Sequence, residues 1–208
     1  MLLSFSRKIA FVSPPRTAGT SVGNYLMEHI PDMTNEGPTH MKLRSFVDLP
    51  EDWFVFTFVR HPLDRMVSYY HYLRTMWDGD VNYQALEKAG ALESFEGFVR
   101  KGMTMWNVDI WSPLNLDFCA RYGEPQLDYL EYKDKLRCNF IGRFETLERD
   151  FDLLCRTLSI PNKGLPVEEV SEHEPYMSYY NLELAQIVHL AQLTDFTVFG
   201  YDVPWEEL

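Results

Sequence analysis

The residues best suited to chemistry in this chain lie between positions 8 and 21, which read Lys-Ile-Ala-Phe-Val-Ser-Pro-Pro-Arg-Thr-Ala-Gly-Thr-Ser. An apolar run predicts a short strand, two prolines follow, and the Gly-Thr-Ser segment begins a helical pattern. A helix N-terminus presents unpaired backbone N–H groups and partial positive charge, so it attracts anions. Arg16 adds a fixed cation, and Thr17, Thr20 and Ser21 add hydroxyl donors. The segment therefore predicts a loop that binds phosphate or sulfate.

This loop differs from the Walker A sequence of nucleotide-binding proteins. That motif requires Gly-x-x-x-x-Gly-Lys-Ser/Thr, whereas Gly19 is followed here by Thr20. A purely structural interpretation also stays open at this point, because Thr17 or Thr20 could serve only as the N-cap of the helix.

A second cluster spans residues 56–70, Phe-Thr-Phe-Val-Arg-His-Pro-Leu-Asp-Arg-Met-Val-Ser-Tyr-Tyr. Arg60 ends a strand-like run, and Ser68 lies about two turns into the helix that follows. A guanidinium and a hydroxyl from adjoining elements can bind one phosphate from two directions. Alternatively, Arg60 pairs with a carboxylate and Ser68 is an ordinary helix-surface serine.

Alternating strands and helices position these clusters. Strands are predicted at about 8–13, 53–59 and 139–145, and helices at about 20–30, 62–76, 147–158 and 178–193, with irregular chain at 31–52 and one or two further helices within 82–118. The order indicates a single α/β domain over residues 1–208, P-loop-like, with a mainly parallel sheet flanked by helices. Ligands of such sheets bind outside the carboxyl ends of the strands, where Arg16 and Arg60 fall.

The composition limits the possible partners. The chain has 208 residues, 46% of them apolar, and a formal net charge of −12. This charge argues against nucleic acid or an anionic membrane as a partner, so an anion must bind in a local pocket. The absence of a signal-peptide pattern and of a long apolar run predicts a cytoplasmic protein without a membrane span. Cys119, Cys138 and Cys155 are widely spaced, which favours reduced thiols over a metal site.

Taken together, the two clusters resemble those of sulfotransferases that use 3′-phosphoadenosine 5′-phosphosulfate (PAPS), and most closely the carbohydrate-type branch. The similar patterns are Pro-x-Arg/Lys-Thr-x-x-Thr-Ser and Arg-x-Pro-x-x-Arg-x-x-Ser-x-Tyr. Three later stretches resemble the same family in the same order, namely Gln126-Leu-Asp-Tyr-Leu130, Phe140-Ile-Gly-Arg-Phe-Glu-Thr-Leu-Glu-Arg-Asp-Phe151 and the tail from Tyr176 to Tyr201.

The resemblance implies a function and a set of site residues. It implies transfer of a sulfuryl group from PAPS to a hydroxyl or amine of a small-molecule or carbohydrate acceptor, with 3′-phosphoadenosine 5′-phosphate as product and no metal. The 5′-phosphosulfate would be held by the loop residues Arg16, Thr17, Ala18, Gly19, Thr20 and Ser21. Arg60 and Ser68 would hold the 3′-phosphate, and Phe144 would lie near the adenine.

A general base is expected between the two phosphate motifs, where related enzymes carry a histidine or sometimes a glutamate. His40 is the candidate, because an unperturbed imidazole accepts a proton near neutral pH. A loop histidine without a catalytic role is the alternative, and Glu36 is a lesser candidate base. His61 and His71 are interpreted as a helix-start and a helix-surface residue.

Two departures from the family pattern leave other functions open. Arg16 stands where relatives commonly have lysine, so it can stabilise charge but is a poor proton donor. The segment 165–176 is acidic, through Glu168, Glu169, Glu172 and Glu174. It could be a solvated loop or could favour a cationic or neutral acceptor. The alternatives are a P-loop-type small-molecule kinase and a catalytically inactive nucleotide-binding protein.

The acceptor pocket is expected within 31–52 and 77–125, where Trp77, Trp106 and Trp111 could stack on a ring or simply pack. The oligomeric state is left open by the sequence.

Overall fold

The structure is a computed structural model, and it describes residues 1–37, 40–46, 48–75, 86–102, 123–166, 168 and 173–208. The chain divides into two compact units, each built from two separate stretches. The first unit comprises Met1–Arg60 and Gln126–Val170, and the second comprises His61–Pro125 and Ser171–Leu208. The Arg16 loop (residues 16–21) and Arg60 belong to the first unit, whereas Ser68 belongs to the second.

The described strands all belong to the first unit. They are β1 (Leu2–Ser4), β2 (Ile9–Phe11), β3 (Met33–Asn35), β4 (Phe54–Val59), β5 (Glu131–Tyr132), β6 (Lys135–Leu136) and β7 (Phe140–Arg143). Five of these described strands form one sheet in the order β3-β1-β2-β4-β7, and β5 and β6 form a separate hairpin. β2, β4 and β7 are parallel neighbours, and β1 runs antiparallel to both β2 and β3. Only β1 is therefore reversed within the described sheet, which confirms the predicted mainly parallel α/β architecture.

The longer helices of the described chain are distributed over both units. They are α1 (Gly19–His29), α2 (Pro62–Thr75), α3 (Leu147–Leu158), α4 (Leu182–Ala191) and α5 (Leu193–Phe199), of which α1 and α3 belong to the first unit and the others to the second. α1 contributes Val22 and Leu26 to the core of the first unit, and α3 contributes Phe151 and Leu154. They pack with strand residues such as Phe56, which is fully buried. Burying these apolar side chains stabilises the sheet edge from which the candidate site projects.

The register between β4 and β7 is marked by a close contact. Phe58 pairs with Gly142, and a Cβ atom added at Gly142 would lie 2.3 Å from the Phe58 ring. Glycine is therefore the residue that lets the Phe58 ring lie flat on the neighbouring strand.

In the second unit, α2 begins at Pro62, the position where a missing N–H costs least. His61 caps this helix, since its Nδ1 accepts a hydrogen bond of 3.3 Å from the Leu63 N–H. Arg65 is almost fully buried, and its Nη2 donates to the Gln192 side chain at 2.9 Å and to the Glu124 carbonyl. The Arg65–Gln192 contact lies where α4 ends and α5 begins.

The sequence interpretation is wrong in three places. It treated residues 31–52 as irregular, although β3 and a 3₁₀ turn (Leu43–Ser45) lie there, and it did not include β1 or the β5–β6 hairpin. The predicted last helix, 178–193, is preceded by a 3₁₀ turn at Tyr176–Tyr179 and divides into α4 and α5. The helices predicted within 82–118 fall largely outside the described residues. Within the described part of this range, Phe95–Gly97 and Phe98–Gly102 are helical.

Candidate functional site

The Arg16 loop and Arg60 both lie at the edge of the sheet where the parallel strands end. The Arg16 loop follows β2 and Arg60 follows β4, and these two strands are parallel neighbours. Arg143 is the last residue of β7, the parallel strand on the other side of β4. Arginines thus stand at or beyond the carboxyl ends of three adjacent strands, which is where α/β sheets bind ligands. The contribution of Arg143 was not part of the sequence prediction.

Backbone conformation shapes the Arg16 loop. Arg16 and Ala18 have φ values of 65° and 63°, in the left-handed region that residues with a Cβ rarely adopt. Ala18 is the N-cap of α1, and its methyl group offers no capping oxygen. The first intrahelical bond runs from Val22 N–H to the Ala18 carbonyl at 3.0 Å. The preceding N–H groups, from Gly19 to Ser21, have no acceptor within the helix and can bind an anion.

A glycine and a buried threonine hold this loop close to the end of β2. A Cβ atom added at Gly19 would lie 1.8 Å from Ser13 Oγ and 3.0 Å from Ser13 Cβ, so a side chain at this position requires the Ser13 side chain to move. Thr17 is fully buried, and its hydroxyl donates to the Pro14 carbonyl at 2.8 Å. In this arrangement the Thr17 hydroxyl proton is used within the loop.

The remaining side chains of the loop differ in exposure. Arg16 is half-buried, Thr20 is exposed and Ser21 is buried. No acidic side chain stands in the first turn of α1. The loop therefore combines a guanidinium, helix N–H groups and a helix dipole of the same sign, which together favour an anion despite the net charge of −12.

His40 is joined directly to this loop. Its Nδ1 lies 2.8 Å from the Ser13 carbonyl oxygen, and since a carbonyl can only accept, Nδ1 carries the proton. Nε2 is then the nitrogen with the basic lone pair in the neutral ring. His40 has a φ of 58°, a conformation that histidine tolerates better than most residues. Glu36, the lesser candidate, accepts a hydrogen bond of 3.1 Å from the Thr34 hydroxyl.

Arg60 is held differently, by side chains from distant parts of the first unit. It is 7% exposed, and its guanidinium carbon lies 4.0 Å from the centroid of the Phe144 ring. Its backbone N–H donates to Gln126 Oε1 at 2.8 Å, and its carbonyl accepts from Gln126 Nε2 at 2.9 Å. Phe144 therefore lies against Arg60, a contact that the sequence did not indicate.

The other sequence candidates lie in the second unit. Ser68 is fully buried on α2. His61 Nε2 donates to the Asp202 carbonyl at 2.9 Å, in agreement with a structural role at the helix start. His71 is half-buried rather than a plain surface residue, with Nε2 2.9 Å from the Tyr179 hydroxyl. Burial, together with the positive charges of His173 and Arg74, lowers the pKa of His71.

The acidic segment is described in part. The carboxylate of Glu168 accepts a hydrogen bond of 2.6 Å from the Asn24 side chain on α1, so this acidic residue of the segment has a neutral partner. Glu169 and Glu172 lie outside the described residues, as do Trp77, Trp106 and Trp111 of the expected acceptor region.

Three general properties of the described chain bear on the chemistry. Within it, no cluster of three or more His, Cys, Asp or Glu residues could hold a metal ion. None of its helices is both long enough and apolar enough to cross a membrane. Cys138 and Cys155 are free thiols, and burial raises the pKa of Cys155 to about 11, so that thiol is unreactive at neutral pH.

Comparison with known families gives an independent result. A sequence model of the sulfotransferase family matches residues 6–202, a range that includes the Arg16 loop, His40, Arg60 and Ser68. No curated protein matches the sequence at a significant level.

Proposed function

Because the chain belongs to the sulfotransferase family, we propose that it transfers a sulfuryl group from PAPS to a hydroxyl or amine of a small-molecule or carbohydrate acceptor. The observation that carries this proposal is the pairing of two arginine sites at neighbouring strand ends. One site is a helix N-terminus with Arg16, and the other is the buried Arg60. A donor with phosphate groups at both its 5′ and 3′ positions requires two such sites.

In this proposal the Arg16 loop binds the 5′-phosphosulfate. Donors come from the backbone N–H groups of residues 19–21, from the exposed Thr20 hydroxyl and from the Ser21 hydroxyl. Arg16 stabilises the negative charge that develops on the bridging oxygen as the phosphate leaves, because a guanidinium stays protonated throughout. Arg60 and Ser68 are assigned to the 3′-phosphate, and the scheme calls for no metal, since these donors supply the positive charge.

His40 is the proposed general base. The acceptor oxygen or nitrogen attacks sulfur, and the bond between sulfur and the bridging oxygen breaks, so that 3′-phosphoadenosine 5′-phosphate leaves with the electron pair. The acceptor proton passes to Nε2 of His40. The hydrogen bond from Nδ1 to the Ser13 carbonyl supports this role, because it fixes the tautomer and ties the ring to the phosphosulfate loop.

Two further assignments belong to this proposal, one supported by the family match and one by the cysteines. One family model runs through both compact units, which supports the proposal that residues 1–208 act as one catalytic domain. The free thiols of Cys138 and Cys155 support a reducing, cytoplasmic location.

Calorimetric titration with 3′-phosphoadenosine 5′-phosphate tests the proposed donor. We expect micromolar binding to the wild type and a loss of roughly tenfold or more in Arg60→Ala, the effect of removing one charge-assisted phosphate contact. ATP with Mg²⁺ is titrated in parallel. Binding of ATP–Mg²⁺ without binding of the bisphosphate would overturn the proposal in favour of a kinase. Tight bisphosphate binding without PAPS turnover across a broad acceptor panel would favour an inactive nucleotide-binding protein.

A further inference from the structure

We propose that Gln126 is a positioning residue that holds Arg60 in place for the 3′-phosphate, an inference that rests on the proposed function. Gln126 is fully buried, and both polar atoms of its side chain bond to the Arg60 backbone. These two residues are 66 positions apart in the chain. Because the amide oxygen and the amide nitrogen of this buried glutamine both bond to one residue, the contact holds Arg60 specifically and is more than general packing.

The end of β4 explains why the backbone of Arg60 needs hydrogen bonds from a side chain. The pairing of β4 with β7 ends at Val59 and Arg143. Arg60 is the next residue, and it is buried, so its backbone N–H and carbonyl require partners that the described sheet ladder does not provide. The Gln126 amide supplies one acceptor and one donor at 2.8 and 2.9 Å, as a further strand residue would.

The side chain of Arg60 is oriented by a second contact. Its guanidinium lies 4.0 Å from the Phe144 ring centroid, a cation–π geometry that restricts a long and otherwise flexible side chain. Phe144 begins the turn that joins β7 to α3, and Asp150 fixes this turn by accepting hydrogen bonds of 2.8 Å from the Arg143 N–H and the Thr146 hydroxyl. Because Arg60 is already oriented at backbone and side chain, less conformational freedom is lost when a phosphate binds.

Gln126 itself lies on a well-anchored turn. It begins the 3₁₀ turn Gln126–Tyr129, in which Leu127 and Tyr129 are buried. The same turn contacts Lys42, whose Nζ lies 3.9 Å from Asp128 Oδ2 and 5.5 Å from the Tyr129 ring centroid. Lys42 is two residues from His40, so one turn links the segment of the proposed base to the proposed 3′-phosphate residue.

The experiment compares Gln126→Met with Asn139→Leu. Asn139 is the matched control, because its side chain also bonds to the β4 backbone, accepting from the Val55 N–H at 2.8 Å, but at the opposite end of the strand from Arg60. Each substitution keeps the approximate side-chain volume and removes the hydrogen bonds. For both variants we would measure the midpoint of thermal unfolding and the dissociation constant of 3′-phosphoadenosine 5′-phosphate.

We expect both variants to unfold at lower temperature, but only Gln126→Met to bind the bisphosphate roughly tenfold more weakly. In the Arg60→Ala background, Gln126→Met should weaken binding little further, because its effect acts through the Arg60 side chain. Should Gln126→Met fail to fold, Gln126→Asn replaces it, since this shorter amide stays polar but cannot reach both backbone groups.

The outcomes separate this inference from the proposed function. If the wild type does not bind the bisphosphate, the proposed function is wrong, and the role of Gln126 is wrong with it. If the wild type binds and Arg60→Ala does not, but Gln126→Met binds like the wild type, only the positioning role is wrong. It is also wrong if Asn139→Leu loses affinity as strongly as Gln126→Met, because Gln126 then contributes only general stability.

Discussion

The Arg16 loop and the Arg60 corner follow adjacent parallel strands, yet they are built by different means. In the Arg16 loop, two left-handed residues and a close glycine contact determine where the donors point. Arg60 is the residue directly after β4, and here, at the Arg60 corner, the amide of Gln126 and the ring of Phe144 hold the arginine in place. The geometry of the Arg16 loop is therefore determined by the backbone conformation, whereas the geometry of the Arg60 corner is determined by contacts with other side chains.

The difference indicates what each site can tolerate. The loop presents main-chain N–H groups, so it depends on which residues can adopt its φ and ψ angles and on the space around Gly19. The Arg60 corner presents one guanidinium, and the position of that guanidinium depends on side chains that are distant in the sequence. Substitutions that change the backbone should damage the first site, and substitutions that remove a polar or aromatic side chain should damage the second.

The largest effect should come from His40, the proposed base, which bonds to Ser13 at the start of the loop. We expect His40→Asn to lower the rate of PAPS hydrolysis, in which water replaces the acceptor, by roughly 10²- to 10⁴-fold. Asparagine tolerates the positive φ of this position, so the backbone should stay in place. The affinity for 3′-phosphoadenosine 5′-phosphate, measured by calorimetry, should change little because His40 is not assigned to the nucleotide.

His29→Asn is the control for this substitution. The Nδ1 atom of His29 also lies close to a backbone carbonyl, 2.9 Å from that of Tyr25, but at the far end of α1. It should leave hydrolysis unchanged. Equal rates in His40→Asn and the wild type would remove His40 from the mechanism.

Gly19→Ala should come next in size. The new Cβ would displace Ser13 Oγ, which can turn away, and would lie 3.0 Å from Ser13 Cβ, so the cost should be near the lower end of the roughly 1–3 kcal/mol of overpacking. If the loop shifts to relieve this contact, bisphosphate affinity should fall by about five- to tenfold. Adding Ser13→Gly removes the overlapping atoms and should restore part of the affinity.

Gly23→Ala provides the comparison on the same helix, because its Cβ would meet only the flexible end of the Leu2 side chain at 3.2 Å. It should bind the bisphosphate like the wild type. If Gly19→Ala does so too, the loop does not depend on this close approach.

Phe144→Leu, at the Arg60 corner, should have a smaller effect. Leucine keeps an apolar surface under Arg60 but removes the aromatic face, and a partly exposed cation–π contact contributes about 0.5–1 kcal/mol. Bisphosphate binding should weaken by about two- to fivefold. Phe140→Leu, at the other end of β7, should leave affinity unchanged. A loss of affinity in Phe140→Leu equal to that in Phe144→Leu would contradict a specific contact.

The smallest effect on binding is expected at His71, which belongs to neither site. Its pKa is lowered by burial and by His173 and Arg74, so between the folded and unfolded pKa values the unfolded state binds more protons. Its contribution to stability is therefore complete above about pH 6.5 and is lost as the pH falls below that value. Thermal unfolding of wild type and His71→Gln from pH 5 to 8 measures this slope, and the variant should lack the part that His71 contributes. Bisphosphate affinity should stay the same, and a change would show that His71 contributes to binding.

The sequence predicted the elements whose patterns are local. β4 and α2 were placed almost to the residue, because a continuous apolar run precedes a proline at the first helical position. α3 was predicted with its observed bounds. The Arg16 loop and Arg60 were also correctly placed after parallel strands, since the order of elements determines which strand ends share an edge.

What the sequence could not indicate depends on contacts between distant residues. β1 and β3 have three residues each, too few for a period to be visible, and they exist because they pair with one another and with β2. The boundary between α4 and α5 coincides with Gln192, whose side chain bonds to Arg65. Gln126 was noticed as part of a family-like segment, but its bond to Arg60 requires the folded chain. Whether Ser68 and Arg60 share a phosphate stays a prediction.

The glycine on β7 has a consequence for how faithfully the site is assembled. The Phe58 ring fits over Gly142 alone, and a shift of one residue in either direction would drive it into the side chain of Ile141 or Arg143. Such a slip would also move Phe144 by one residue relative to Arg60. The fit of the Phe58 ring over Gly142 therefore favours the strand alignment in which Arg60 lies against Phe144.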